Sequence, residues 1–538
     1  MVDSIANDGL GKVALELASR GQPERQPREV SLGASPGEER SSGEESAVTM
    51  AMQVSKSRGI AIIVTLAGIN FLNTMGSGLL IAILPHIARD VGLSDSLILW
   101  PAATYALAAG CLLLIFGAIA DVVGPKLVWA CGGALFVIFT VALGFSQSGI
   151  QVIIWRTCLG ISMAMCLPAT VSLITNTFPR GSWRNAAFSM NGMAQPMGYA
   201  LGLVLGGVFA DTIGWRWSYY LMAMLSFVTA GVSLLALPVV HHASDSGKSK
   251  WRRLREEIDW VGAVILSASF GVIMYVLALA TSSYKNLSSA PSLPLLIMAV
   301  FLLALFPVWM RYQEKRQRPA LIPNRLWREM PFTSVCLSVF LCWASLNAFE
   351  YFTTLFYQQV QGVSALQASL RYFPQIVMGI STNIAMVYLV SRVKTRTLVI
   401  GSALISIISP ALMATARIHE SYWLAPFWAI FLCPVNPWIL FAVGNLIISD
   451  AFPPHVQSLA GGIFNEVAQF GNAVGLAVTA AIAASVTEHS DAIDGTVALM
   501  DGFRAAFWTI FTSTGAIILV CVFGLSNAGM AGQGKKSP

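Results

Sequence analysis

An all-α membrane protein with fourteen crossings is the fold class this sequence predicts, and three observations predict it: composition, the recurrence of apolar runs, and the placement of positive charge. Of 538 residues 55% are hydrophobic and only 11% charged, against about 25% charged for an average soluble domain, so water is not the main solvent of the folded chain. Runs of roughly 20 apolar residues, the length a helix needs to cross hydrocarbon, recur at 60–84, 97–120, 126–146, 150–175, 186–210, 217–239, 260–281, 291–310, 332–356, 367–390, 397–416, 422–448, 458–485 and 504–526. An even number of crossings returns both ends to one side. Of the 33 Lys and Arg residues, twenty-six lie in the two tails and one alternating set of loops, among them Arg58, Lys126, Arg180, Arg252, Arg316, Lys394 and Lys536. Six, Arg89, Arg216, Lys285, Arg371, Arg417 and Arg504, lie in the other set, and Arg156 falls inside a span. Cytoplasmic loops retain positive charge, so both termini are expected in the cytoplasm, with the plasma membrane as the expected location and the vacuolar membrane as the alternative.

In chain order, residues 1–57 are rich in Ser, Gly, Glu, Pro and Arg and contain no apolar core of a secretory signal, so they read as a disordered cytoplasmic tail. A six-helix half is expected over 58–240, two inserted helices with basic loops over 241–330, a second six-helix half over 331–527, and a short cytoplasmic tail over 528–538. The division rests on an internal repeat. Phe178, Pro179, Asn191 and Gln195 recur as Phe452, Pro453, Asn465 and Gln469, all at an offset of 274. Each copy is followed by a Gly-x-x-x-Gly pair, Gly198 with Gly202 and Gly471 with Gly475. All eight cysteines lie in apolar segments without zinc-site or disulfide spacing, and read as small packing residues. The formal charge of +6 forms no basic stripe, which excludes nucleic acid as a partner.

Three segments carry further signals. After the second span stands GAIADVVGPK, in which Gly117 permits close backbone approach, Asp121 places a charge at the membrane edge, Gly124 takes the turn and Lys126 follows it. In the fourth span WRTCLG buries Arg156 in apolar sequence, either as a functional charge or as one that snorkels to the interface. In the fifth, GYALGLVLGG sets Gly198, Gly202 and Gly206, with Gly207 adjacent, on a stripe that lets two helices touch backbone to backbone.

These motifs, with TIGWRW at Thr212 to Trp217 and GVSALQASLRYFP at Gly362 to Pro374, resemble the major facilitator superfamily and, within it, the fourteen-span drug:proton antiporter branch of fungal type. That branch includes aminotriazole and boron exporters, ammonium transporters and secondary-metabolite efflux pumps. The resemblance covers about residues 60–527. It implies a major facilitator fold of two six-helix halves plus two inserted helices, a gate latched with the help of Asp121 and Lys126, and an Arg156 associated with proton coupling. The chain departs from the pattern at Leu159, where the branch has Gln, at Leu203, where it has Pro, and at Gly76, where it carries an acid nine residues before Pro85.

The repeat maps Gly76 onto Glu350, so the second half is expected to hold the carboxyl that the first lacks. Asn347, Glu350, Thr354, Tyr357 and Gln361 share one helical face, and a carboxyl buried among helices suits proton coupling; a structural Glu bonded to a neighbouring helix is the alternative. Glu466, beside Asn465 and Gln469, is a second proton candidate. Asn73, Asn191, Gln195, Asn347, Tyr357, Asn465, Gln469 and Asn436 are candidates for a substrate cavity, the amides serving either to bind substrate or to join helices. Pro434 and Pro437 are expected to bend or break the twelfth helix.

The function expected is proton-coupled efflux of a drug or secondary metabolite by alternating access, without metal or cofactor, in a monomer whose partners are protons, a small-molecule substrate and the bilayer. Uptake or facilitated diffusion of a small polar solute such as ammonium or borate is the second reading, and a non-transporting receptor the third. An enzyme is not expected, since the sequence has no H-E-x-x-H, no nucleotide loop and only isolated His86 and His455.

Overall fold

Among the described residues, fourteen helices alternate in direction through the computed structural model, which describes residues 55–93, 97, 100–179, 181–238, 250–282, 292–324, 326–390, 392–452 and 457–525. The expected tails, all but the last three residues of 1–57 and the whole of 528–538, lie outside the described residues, as do Arg180, Lys248, Lys285, Arg325 and Pro453. The first half comprises α1 (Lys56–Asp90), α2 (Trp100–Val123), α3 (Pro125–Gly144), α4 (Gly149–Thr177), α5 (Ser182–Asp211) and α6 (Trp215–Ala236). A short basic helix, Lys250–Glu256, precedes the inserted pair α7 (Trp260–Ser282) and α8 (Ser292–Lys315). The second half comprises α9 (Met330–Leu355), α10 (Phe373–Leu389), α11 (Thr395–Ser406, continued by Ile408–Thr415), α12 (Ala425–Leu432, continued by Val435–Ala451), α13 (Gln457–Glu488) and α14 (Gly495–Gly524). Thirteen of these are long and apolar enough to cross a membrane among the described residues; α10, of 17 residues, is shorter and keeps the alternation. The end at which α1 begins and α14 finishes is called the tail side below, the opposite end the far side.

Local chemistry sets the boundaries. Gly124 sits at φ +116° and Pro125 opens α3, because a left-handed residue reverses the chain and a proline at the first helical position gives up no amide bond. Proline likewise opens α9 and α10. The Asp494 carboxylate accepts from Thr496 N at 2.9 Å and starts α14 nine residues before the apolar run does. Arg504, expected in a far-side loop, therefore lies within that helix and pairs with Asp501 at 3.2 Å.

The repeat extends from sequence to packing. Lys56 and Met330, which open α1 and α9, are 274 apart, and Ser182 and Gln457, which open α5 and α13, are 275 apart. α1 packs along α5 as α9 packs along α13. In the first half a Cβ on Gly198 or Gly202 would collide with the carbonyls of Phe71 or Met75, and in the second one on Gly471 or Gly475 would collide with those of Phe340 or Ala344. The glycine stripes are thus backbone contacts in both copies. Gly206 meets Ala82 and the Leu79 carbonyl in the same way, while Gly207 is half-buried beside it. Pro196 lies inside α5 two residues before the stripe; it supplies the helix-disturbing proline that Leu203 does not.

α7 and α8 pack on one another, tied by Ser269 Oγ donating to Ala299 O at 2.8 Å, and α7 packs on α2 and α13. At their tail side the buried Asp259 accepts from Gly262 N at 2.9 Å, Trp309 Nε1 at 3.0 Å and Gln313 Nε2 at 3.3 Å, a closure that sequence reading missed. Large apolar side chains such as Phe227, Leu235, Phe301 and Phe523 face outward, the arrangement of a chain whose outer solvent is lipid.

Candidate functional site

A cavity of about 120 Å³ lies between the halves, bounded by Thr74 of α1, Gln195, Pro196, Tyr199 and Leu203 of α5, Trp343, Leu346 and Glu350 of α9, Tyr372 and Gln375 at the start of α10, and Trp438 of α12. Glu350 is its one charged wall residue among the described residues. It lies twenty residues after the opening of α9, on the far side of the helix midpoint. Its Oε1 accepts from Gln375 Nε2 at 2.5 Å, and Tyr372 Oη donates to its backbone carbonyl at 2.8 Å and sits 3.0 Å from Thr354 Oγ1. The strap between α9 and α10 is therefore pinned to the turn that carries the acid. Gln375, Tyr372 and Tyr199 were not among the sequence candidates: they lie on other helices, and no spacing within one chain segment reports such a pairing.

Immediately after Glu350 the helix widens. Phe356–Val360 form a π-helical turn, which changes the angular register. Tyr357 consequently leaves the expected face: it is fully buried under Arg371, whose guanidinium lies 4.7 Å from its ring centre, and beside Tyr422. Gln361 accepts from Arg371 Nη1 at 2.6 Å. The stripe expected from Asn347 to Gln361 thus places Glu350 alone at the cavity.

Of the other candidate amides, Gln195 lines the cavity. Asn191 Oδ1 accepts from Asn70 Nδ2 at 2.7 Å and joins α5 to α1. Asn73 accepts from the Tyr105 hydroxyl. Asn465 donates to Gly461 O at 2.8 Å within its own helix, and Gln469 accepts from Asn472 Nδ2 at 3.2 Å. Asn347 is half-buried. Asn436 borders a separate space of about 20 Å³ and bonds Ser402 Oγ at 3.0 Å and Cys342 Sγ at 3.3 Å.

Arg156 does not snorkel. It is 3% exposed, donates to Pro101 O at 3.3 Å and Gly76 O at 3.5 Å, and covers the Tyr105 ring at 4.5 Å. Two carbonyls and a ring face stand where an acid would give a formal pair. A Cβ on Gly76 would lie 3.8 Å from Arg156 Nη1, so this guanidinium faces the position from which the carboxyl is missing. Glu466 is 2% exposed, and neither of its oxygens has a hydrogen-bond partner among the described residues.

At the tail side the halves are joined. Asp121 Oδ1 and Oδ2 accept from Ser458 N and Leu459 N, each at 2.9 Å. A carboxylate at the end of α2 thereby caps the first turn of α13, where the helix dipole favours negative charge. A Cβ on Gly117 would come within 3.0 Å of Ser458 O, so the same motif clears the way for the approach. Lys126 acts elsewhere: its Nζ donates to Leu237 O at 2.6 Å and Leu234 O at 3.2 Å, closing the end of α6 within the first half. On the far side Arg216 and Trp215 of the TIGWRW segment both bond the Asp90 carboxylate, at 2.5 and 3.1 Å. Asp90 lies beyond the apolar stretch of α1, and these donors, Arg216 first, hold its carboxyl below the usual carboxylate range.

The family model for the Major Facilitator Superfamily matches residues 66–322 and 260–476. The chain is 42% identical to "MFS-type transporter 1" of Pyricularia oryzae over 89% of this chain and 85% of that one. It is 25% identical to the "Low affinity ammonium transporter" of Saccharomyces cerevisiae, over 83% and 85% of the two chains. It is 24% identical to "Efflux pump terJ" of Aspergillus terreus, over 87% and 88%.

Proposed function

The chain belongs to the major facilitator superfamily, and from that premise we propose that it exports a drug-like molecule or secondary metabolite in exchange for protons by alternating access. The observation that carries this reading is the Glu350 carboxyl, set in the wall of a cavity between the two halves while their tail-side ends are joined through Asp121. In its ionised form Glu350 accepts from Gln375 and presents a negative charge among Trp343, Trp438 and Tyr199. A proton removes that charge, and a substrate carrying a cationic or hydrogen-bond-donating group competes for the same oxygens. Proton and substrate then occupy the carboxyl in alternate phases, and each phase favours one arrangement of the halves. Loop charge supports cytoplasmic termini, and the same reading takes the plasma membrane as the location and the monomer as the working unit. The similarity to an efflux pump at 24% identity supports export.

Two observations favour uptake or facilitated diffusion of a small polar solute as a second reading: the absent acid at Gly76, and the similarity to an ammonium transporter at 25% identity. Reconstitution into liposomes with an imposed pH gradient, a panel of metabolites and drugs, and wild type beside Glu350→Gln separates the readings. Gradient-driven flux of a panel member that disappears in Glu350→Gln supports proton-coupled exchange. Flux that is unaltered in the variant removes the proton from Glu350, and solute movement indifferent to the gradient supports the second reading.

A further inference from the structure

Glu466 lies away from the cavity, on the seam where α13 meets α2 and α7. The seam is tight: a Cβ on Gly462 would lie 3.2 Å from Leu113 O, and one on Gly110 would meet Met274 of α7 and, at 3.8 Å, Gln469. Phe270 of α7 and Phe340 of α9 flank Phe470 at 4.8 and 5.6 Å between ring centres. The carboxyl is enclosed there, with both oxygens out of reach of any donor among the described residues. Asp121 joins α2 to the first turn of the same helix, eight residues before Glu466.

We infer that Glu466 is a second proton-binding site, one that reports the closure of the tail-side seam rather than the occupancy of the cavity, with the inserted helix α7 as its cover. The inference rests on the alternating-access reading, in which this seam must part once per cycle. Closing α2 and α7 over an ionised Glu466 traps a charge with no partner, whereas the protonated acid closes without that penalty. Opening admits water and lets the proton leave. The seam therefore closes with proton uptake and opens with proton release, and a rise in pH favours the open form.

Two other carboxyls bear on the titration of the seam, Asp121 at its tail-side end and Glu350 at the cavity, and the test separates both from Glu466. α2 brings Cys111 close enough to interact with it electrostatically, with Asp121 at the tail-side end. α7 carries no Asp, Glu, Lys, Arg or His. Arg156 of α4 is occupied by the Gly76 and Pro101 carbonyls, Glu350 of α9 by Gln375, and Asp501 of α14 by Arg504. On α12 the acidic residue is Asp450, at its tail-side end.

The test places spin labels at Leu127 and Arg392, exposed residues of the two halves near the tail side, and measures their distance distribution by pulsed EPR in nanodiscs from about pH 5.5 to about pH 8, where proton linkage predicts up to tenfold per pH unit in the open-to-closed ratio. All proteins carry Glu350→Gln, which removes the pH response of the cavity acid, and this background is compared with the same protein bearing Glu466→Gln, Asp121→Asn or both. The expected result is a long-distance population that grows with pH in the background protein and with Asp121→Asn and is flat in both proteins carrying Glu466→Gln. A response that survives in Glu466→Gln, or that vanishes in Asp121→Asn alone, overturns the assignment to Glu466. A second population that appears in Asp121→Asn without any pH response keeps the rocking motion and rejects the proton site; one distance under every condition rejects both. If Glu466→Gln does not fold, Glu466→Asp, which keeps an ionisable group one methylene shorter, must retain the response, and its loss there also rejects the site.

Discussion

The two halves share a backbone plan and oppose each other in charge. In the first, the ion facing position 76 is a cation, Arg156, held by the Gly76 and Pro101 carbonyls. In the second, the position equivalent to Gly76 is Glu350 and the one equivalent to Pro101 is Gln375, and these two side chains bond directly at 2.5 Å. What the duplication kept is the close contact of α1 with α5 and of α9 with α13, because glycine-to-carbonyl packing tolerates no added carbon. What diverged is the chemistry at the level of the cavity. The amides show the same split. Asn191 is paired across helices by Asn70, but the residue equivalent to Asn70 is Ala344, and Asn465 turns back to its own helix.

The largest expected effect comes from moving the charge. Glu350→Gln is expected to reduce gradient-driven flux by at least about tenfold, and adding Gly76→Asp in the same protein is expected not to restore it, since the new carboxylate would be neutralised by Arg156; rescue in the liposome assay would show that the halves are interchangeable. Next comes the shared backbone plan. Gly202→Val and Gly475→Val each force two helices apart and are expected to cost about 3 kcal/mol, read as a matching fall in thermal unfolding temperature; a loss confined to one half would break the equivalence. The amides provide a smaller contrast. Asn70→Ala leaves Asn191 unpaired and is expected to cost about 1 kcal/mol, whereas Asn465→Ala is expected to be near neutral, both measured in the same melting assay. The smallest effect is at the far-side clamp. The Asp90 carboxyl is held below its free value by Arg216 and Trp215, so its contribution is present above about pH 4 and is lost as pH falls through the lowered value. Asp90→Asn is expected to flatten that acid limb of the stability profile, and an unchanged limb would remove the clamp from the account.

Much of the architecture was legible because it follows from solvent. Span length and charge placement are set by the bilayer, and the repeat survives in Asn191, Gln195, Asn465 and Gln469 because both copies pack alike. Glu350 was legible through the repeat. Gln375 and Tyr372 were not, since contacts between helices depend on rotation about each axis, which periodicity leaves free. Tyr357 was misplaced for a sharper reason: the π turn at Phe356–Val360 adds angular offset that a 3.6-residue period does not contain. The start of α14 was misjudged because its first turns are capped by Asp494 rather than signalled by apolar residues.

The interruptions in the second half carry a mechanical meaning. α11 breaks at Ile407 and α12 between Leu432 and Val435, and one hydroxyl spans both gaps: Ser406 Oγ donates to the Leu432 and Cys433 carbonyls at 3.1 Å and accepts from Asn436 N at 2.9 Å. Their counterparts α3 and α4 run without a break. Compliance is thus concentrated on one side of the molecule, at a joint where Ser406 satisfies three backbone groups and which lies beside the helix carrying Glu350. The first half has the build of a stiff lever, and the second that of the jointed plate against which it turns.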